Sequence, residues 1–147
     1  MTFKYLALAT LVVLYSLMSI GGYISAAGLG LTCPEWPLCP NGLLPNDEFL
    51  IEWIHRFMAV TTSVLIIATA VFSCKAVNTN AKIRFTSVFA CGLVITQISL
   101  GALVIDTLLH AVLVAIHFGI GILLFAMVLL TTLFAFRIDK HMPMTDA

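Results

Sequence analysis

Charge is what this sequence has least of. Only 10% of its 147 residues are Asp, Glu, Lys or Arg, against 61% hydrophobic, and the mean hydropathy is +1.11. A soluble domain carries roughly 25% charged residues. A water-facing surface cannot be built from so few, so the bilayer is the solvent this composition fits, with lipid as a partner. The formal net charge is zero. Neither the basic excess of a nucleic-acid footprint nor a polybasic tail is present, and no nucleic-acid partner is expected. Also missing is polar–apolar alternation over about ten positions, which excludes the strands of a membrane barrel.

What the sequence does have is four uncharged stretches. They run from Lys4 to Glu35, Arg56 to Lys75, Arg84 to Asp106 and Asp106 to Arg137. A helix needs about 20 apolar residues to cross the hydrocarbon core. The spacing predicts helices near residues 5–27, 49–73, 84–105 and 108–136, an all-α integral membrane four-helix bundle forming one transmembrane domain over 1–147. The first apolar segment exceeds the roughly 7–15 residues of a signal-peptide core, so it reads as a retained helix. One long connection remains, residues 28–48, where Pro34, Pro37, Pro40 and Pro45 with three glycines forbid a continuous helix.

Lys4, Lys75, Lys82, Arg84, Arg137 and Lys140 lie at the termini and the middle loop, and the loops at 28–48 and 105–108 hold no Lys or Arg. Positive charge stays inside. This predicts cytoplasmic termini and an extracytoplasmic 28–48 loop in a prokaryotic cell membrane, with Tyr23, Trp36 and Trp53 at the outer interface.

Polar side chains inside the bilayer are costly, so each is a functional candidate. At 1.5 Å rise per residue, His55 lies about 10 Å below the outer end of its helix, His117 about 14 Å and Gln97 about 12 Å. All three share one layer. Two histidines at one depth on parallel helices suit the axial positions of a heme iron. Ala59 and Gly121, one turn below each histidine on the same face, leave room for a macrocycle. His110 is shallower, at about 4 Å by the same rise, and reads as a substrate contact, an alternative ligand or a wetted interfacial side chain. Glu52 and Arg56 are four apart and can pair. Glu52 also stands one turn above His55, where a carboxylate could accept a proton or stabilise positive charge. Arg56 could hold a heme propionate. Cys33 and Cys39 share the outside loop, where a disulfide is permitted, as a structural staple or a redox-active pair.

These residues carry a likeness to a known family. The segment from Gly30 to Cys39 resembles the first extracytoplasmic loop of heme A synthases. Glu52, His55 and Arg56 resemble their Glu-x-x-His-Arg motif. Gln97 to Ala102 and Ala115 to Gly119 resemble motifs of the third and fourth helices, with Phe118 where the family more often has leucine. The resemblance implies oxidation of the heme O methyl group to a formyl, through hydroxylated intermediates, giving heme A for heme-copper oxidase biogenesis. It implies that Glu52 takes part, that His55 and His117 ligate iron, and that the Cys33–Cys39 pair can meet a thioredoxin-like thiol–disulfide partner. A heme O synthase is a further implied partner. The family's usual chain has eight helices in two similar halves, one taking heme O and the other heme b. This chain matches the substrate-type half, so a homodimer or higher homo-oligomer is expected.

Two other functions fit the residues. One is a bis-histidine cytochrome b that only passes electrons, for which Glu52 would be superfluous. The other is a disulfide-generating quinone oxidoreductase. That chemistry usually relays through a second outside cysteine pair, and the segment around Asp106 has none.

Overall fold

The computed structural model describes residues 2–40, 47–75 and 80–141, and for residues 2 and 138–141 the backbone alone. The expected loop at 28–48 falls partly on 41–46, outside the described residues. Four helices make up nearly all of what is described, with no β-strand among those residues: α1 (Thr2–Ala26), α2 (Leu50–Lys75, entered through a 3-10 turn at Asp47–Phe49), α3 (Ala81–Asp106) and α4 (Ala111–His141). All four are long and apolar enough to cross a membrane. Helices suit that solvent because each satisfies its own backbone within one segment.

Local chemistry sets the helix ends. Asp47, Glu48 and Glu52 crowd the start of α2 and Lys75 closes it, each matching the helix dipole. Asn80 caps α3, its side chain accepting from the Lys82 N–H at 2.9 Å. Between α3 and α4 the chain turns through Leu108 and Leu109, both in the left-handed region at φ 53° and 62°. The Leu109 N–H closes the turn on the Val104 carbonyl at 2.8 Å. Helix α4 therefore starts at Ala111, three residues past the position expected from hydropathy, which does not register a change of backbone hand.

Packing pairs α1 with α2, α2 with α3, α3 with α4 and α4 with α1. The bundle is thus a closed ring in which α2 and α4 sit on one diagonal, α1 and α3 on the other. The inward faces recur at helical spacing: Ala7, Thr10 and Leu14 on α1; Thr62, Ile66, Thr69 and Ser73 on α2; Ser87, Ala90 and Val94 on α3; Leu124, Val128 and Thr131 on α4. Leu14, Ile66, Ala90, Val94, Leu124 and Val128 form the central cluster.

Lipid tails are as apolar as these side chains, so close packing and interhelical hydrogen bonds must hold the ring. Each interface carries one such bond in the half remote from the 28–48 loop. Thr10 meets Thr69 at 3.1 Å, Ser73 meets Ser87 at 2.7 Å, Thr131 donates to Thr86 at 2.7 Å, and Thr132 donates to the Ala7 carbonyl at 3.1 Å. Among the described residues the loop half has no such clasp ring of hydroxyl bonds; there Gln97 joins α3 to α4.

Candidate functional site

His55 projects from α2 and His117 from α4, the diagonal pair, in the loop half of the bundle. Nδ1 of each ring is buried and has no hydrogen-bond partner. Buried polar atoms in folded proteins are nearly always paired. These two nitrogens are therefore not spent on holding the fold together.

A glycine on the other diagonal makes room for the His55 ring, and a second one borders His117 at ordinary contact distance. A methyl group on Gly21 of α1 would stand 2.9 Å from Cε1 of His55. One on Gly101 of α3 would stand 3.7 Å from Cε1 of His117. Sequence reasoning passed over both residues, because what a glycine admits depends on the neighbour across the interface. The Gly-Gly step at Gly21 and Gly22 inside an apolar helix was the available signal.

Gln97 joins this layer through its amide. Its Nε2 donates to the His117 carbonyl at 2.8 Å, tying α3 to α4 beside the ring. A methyl group on Gly121 would meet that Nε2 at 3.6 Å. The space beside Gly121 thus faces the Gln97 amide, a use the sequence did not disclose. Ala59 lies half-buried on α2, one turn below His55. His110 is exposed, immediately before α4.

The cap of the site is the first loop. Cys33 and Cys39 are joined by a disulfide with Cα atoms 5.0 Å apart, and both are buried. Gly30 is buried beneath Leu109, whose methyl carbons lie 3.1 Å from where a side chain would begin. The loop is thereby pinned to the α3–α4 turn. Glu52, only 4% exposed, anchors it to α2. Its Oε2 accepts from the Cys33 N–H and from Thr32 Oγ1, both at 2.9 Å, and its Oε1 accepts from Arg56 Nη2 at 2.8 Å.

Arg56 is bound up with the loop. Its Nη2 also donates to the Cys33 carbonyl at 2.7 Å, and its Nη1 to the carbonyls of Glu35 and Pro37. The guanidinium thus joins Glu52 to the loop carbonyls. Trp53 stacks on Phe57 at 5.4 Å, while Trp36 and Tyr23 are exposed at the loop end.

Among the described residues no three His, Cys, Asp or Glu side chains converge into a metal cage. Two opposed imidazoles suit an iron that brings its equatorial ligands with it, as heme iron does. The unpaired Nδ1 atoms and the glycine notches fit such a group.

Comparisons with known proteins show the family. A model of the cytochrome oxidase assembly protein family matches residues 46–147. The heme A synthase of Bacillus licheniformis is 34% identical over 140 residues, covering 93% of this chain and 46% of that protein. That of Bacillus pumilus is 31% identical over 141 residues, covering 93% and 46%. That of Geobacillus kaustophilus is 28% identical over 141 residues, covering 93% and 44%. The chain spans about half the length of the curated relatives it matches.

Proposed function

The chain belongs to the family of cytochrome oxidase assembly proteins that includes the bacterial heme A synthases, and on that premise we propose that it is a heme-modifying membrane oxidoreductase acting on heme O. In this reading His55 and His117 hold the iron of the substrate between α2 and α4. Glu52, one turn above His55, supplies a fixed negative charge beside the methyl group that becomes a formyl. Oxidation passes through hydroxylated intermediates: water supplies the formyl oxygen, and the net loss of four electrons and four protons from methyl plus water goes to an external electron acceptor and to solvent. Heme b is the alternative occupant of the same imidazole pair. The observation that carries the reading is the pair of half-buried histidines on diagonal helices, each with a buried Nδ1 that has no hydrogen-bond partner, in the same half of the bundle as the buried Glu52 carboxylate.

The positive-inside tendency of the basic helix ends supports cytoplasmic termini, with the Cys33–Cys39 loop outside a prokaryotic cell membrane. There a thioredoxin-like protein could reach the disulfide. Heme O synthase is the natural donor of substrate. The relatives carry about twice this length, and a second four-helix unit, as a second copy of this chain, would supply the counterpart of their other half. A mass in mild detergent corresponding to one copy, with full activity, would overturn that part.

The test is to express the chain in cells that make heme O and to separate the extracted hemes. Heme A or a hydroxylated intermediate, lost in Glu52→Ala while heme stays bound, supports the enzyme. A second reading, a bis-histidine cytochrome b, draws on one observation: every hydrogen bond to Glu52 comes from the loop or from Arg56, as in a structural anchor. Bound heme b without conversion, in the presence of heme O, would establish that reading instead.

A further inference from the structure

Glu52 sits on a helix, but two of its three hydrogen-bond donors come from the loop. From α2 itself it receives only Arg56, whose remaining bonds all go to loop carbonyls. Its Oε2 depends wholly on Thr32 and Cys33. All of these groups donate, which matches a carboxylate that can only accept.

The Thr32 hydroxyl has one proton and two acceptors in reach: the Leu29 carbonyl at 3.0 Å and Glu52 Oε2 at 2.9 Å. The Leu29 carbonyl already accepts from the Thr32 backbone N–H at 3.2 Å. An ionised acceptor also holds a hydroxyl proton more strongly than an amide carbonyl does. The proton therefore goes to Glu52. Removing it would leave one bond on each oxygen, the Cys33 N–H on Oε2 and Arg56 Nη2 on Oε1, so the carboxylate would stay tethered but Oε2 would lose half of what fixes its position.

We propose that Thr32 is a positioning residue for Glu52, its hydroxyl acting with the Cys33 N–H to fix the carboxylate one turn above His55, so that the loop sets where the negative charge stands over the ligand. The catalytic part of this inference rests on the reading of Glu52 given above. The positional part does not.

The experiment compares Thr32→Val and Thr32→Ser in membranes containing heme O. Thr32→Val has nearly the same shape and lacks only the donor. It is expected to bind as much heme with an unchanged two-histidine spectrum, while conversion per bound heme falls about ten- to hundredfold, the loss matching one hydrogen bond to a charged group. Thr32→Ser restores conversion relative to Thr32→Val. A Thr32→Val protein converting at the parental rate, or a Thr32→Ser protein as impaired as Thr32→Val, overturns the proposal. A second measurement is independent of activity. In infrared spectra of protein with isotope-labelled glutamate, the Glu52 carboxylate band, assigned by its absence in Glu52→Gln, should shift in Thr32→Val and not in Thr32→Ser. An unmoved band in Thr32→Val overturns the positional claim. If the parent converts no heme O but the band shifts, the reading of function fails and the positioning stands.

Discussion

Gly21 and His55 meet so closely that a methyl group on the first would lie 2.9 Å from Cε1 of the second. That distance is shorter than carbon atoms tolerate, and the ring is the part free to move. Gly21→Ala should therefore turn the imidazole without breaking the bundle. Overpacking of this kind costs about 1–3 kcal/mol, expected here as weakened heme binding and an altered heme spectrum with the helical content retained. Gly22→Ala is the control, since nothing lies within 4 Å of a methyl group there. Equal heme spectra for the two variants would show that Gly21 does not shape the His55 site.

Arg56 links α2 to three carbonyls of the disulfide loop, those of Cys33, Glu35 and Pro37. A planar guanidinium can span them, whereas the single ammonium of lysine cannot. Arg56→Lys should loosen the loop. Losing charge-assisted bonds worth about 1.5–3 kcal/mol raises the open population roughly tenfold or more. The check is the rate at which a membrane-impermeant reductant cleaves the Cys33–Cys39 bond in intact cells or oriented vesicles. A rate equal to the parent's would mean that Glu52 and the Gly30–Leu109 contact hold the loop without Arg56. The same assay reports on which side of the membrane the loop lies.

The helices were legible because lipid leaves the chain little choice. A stretch such as Arg84 to Asp106, uncharged and longer than the hydrocarbon core requires, reads as a helix on length alone. The layer of His55, Gln97 and His117 followed from the helical rise, which needs no knowledge of neighbours. What stayed hidden were relations across interfaces. Thr32 is an ordinary loop threonine until Glu52 is placed beside it. Ser and Thr in membrane helices can always bond their own preceding turn, as Ser16, Ser19 and Thr61 do. Nothing in the sequence separates these from Thr131 and Ser87, which also reach a second helix. The loop contacts of Arg56 are equally hidden, because sequence does not reveal the carbonyl directions of a proline-rich loop.

The ring of hydroxyl bonds should matter to stability more than to chemistry. Thr131→Val removes the donor to Thr86 and conserves volume, and Ser87→Ala removes the partner of Ser73. Interhelical bonds in membranes average about 0.6 kcal/mol and reach about 1.7. Each variant should lower the midpoint of unfolding in detergent by a few degrees while heme content stays at the parental level. A heme loss larger than the stability loss would place the clasp ring in the binding site, against the separation between its half of the bundle and the loop half.

His110 and His117 are seven residues apart, so helical periodicity alone would let either face the ligand. The structure separates them by environment. His117 is half-buried within α4, with Nδ1 enclosed, and its carbonyl is held by Gln97. His110 is exposed and precedes the helix. If His55 and His117 are the iron ligands, His117→Ala removes one axial imidazole. The purified protein should then change from a low-spin to a high-spin spectrum and lose heme more readily. His110→Ala should keep the low-spin spectrum and most of the heme. Gln97→Leu should fall between them, because it frees the His117 carbonyl but leaves the ring in place, giving a broadened low-spin signal. The opposite ranking, with His110→Ala alone abolishing the low-spin form, would move the fourth-helix ligand up two turns and place the iron directly beneath the disulfide loop.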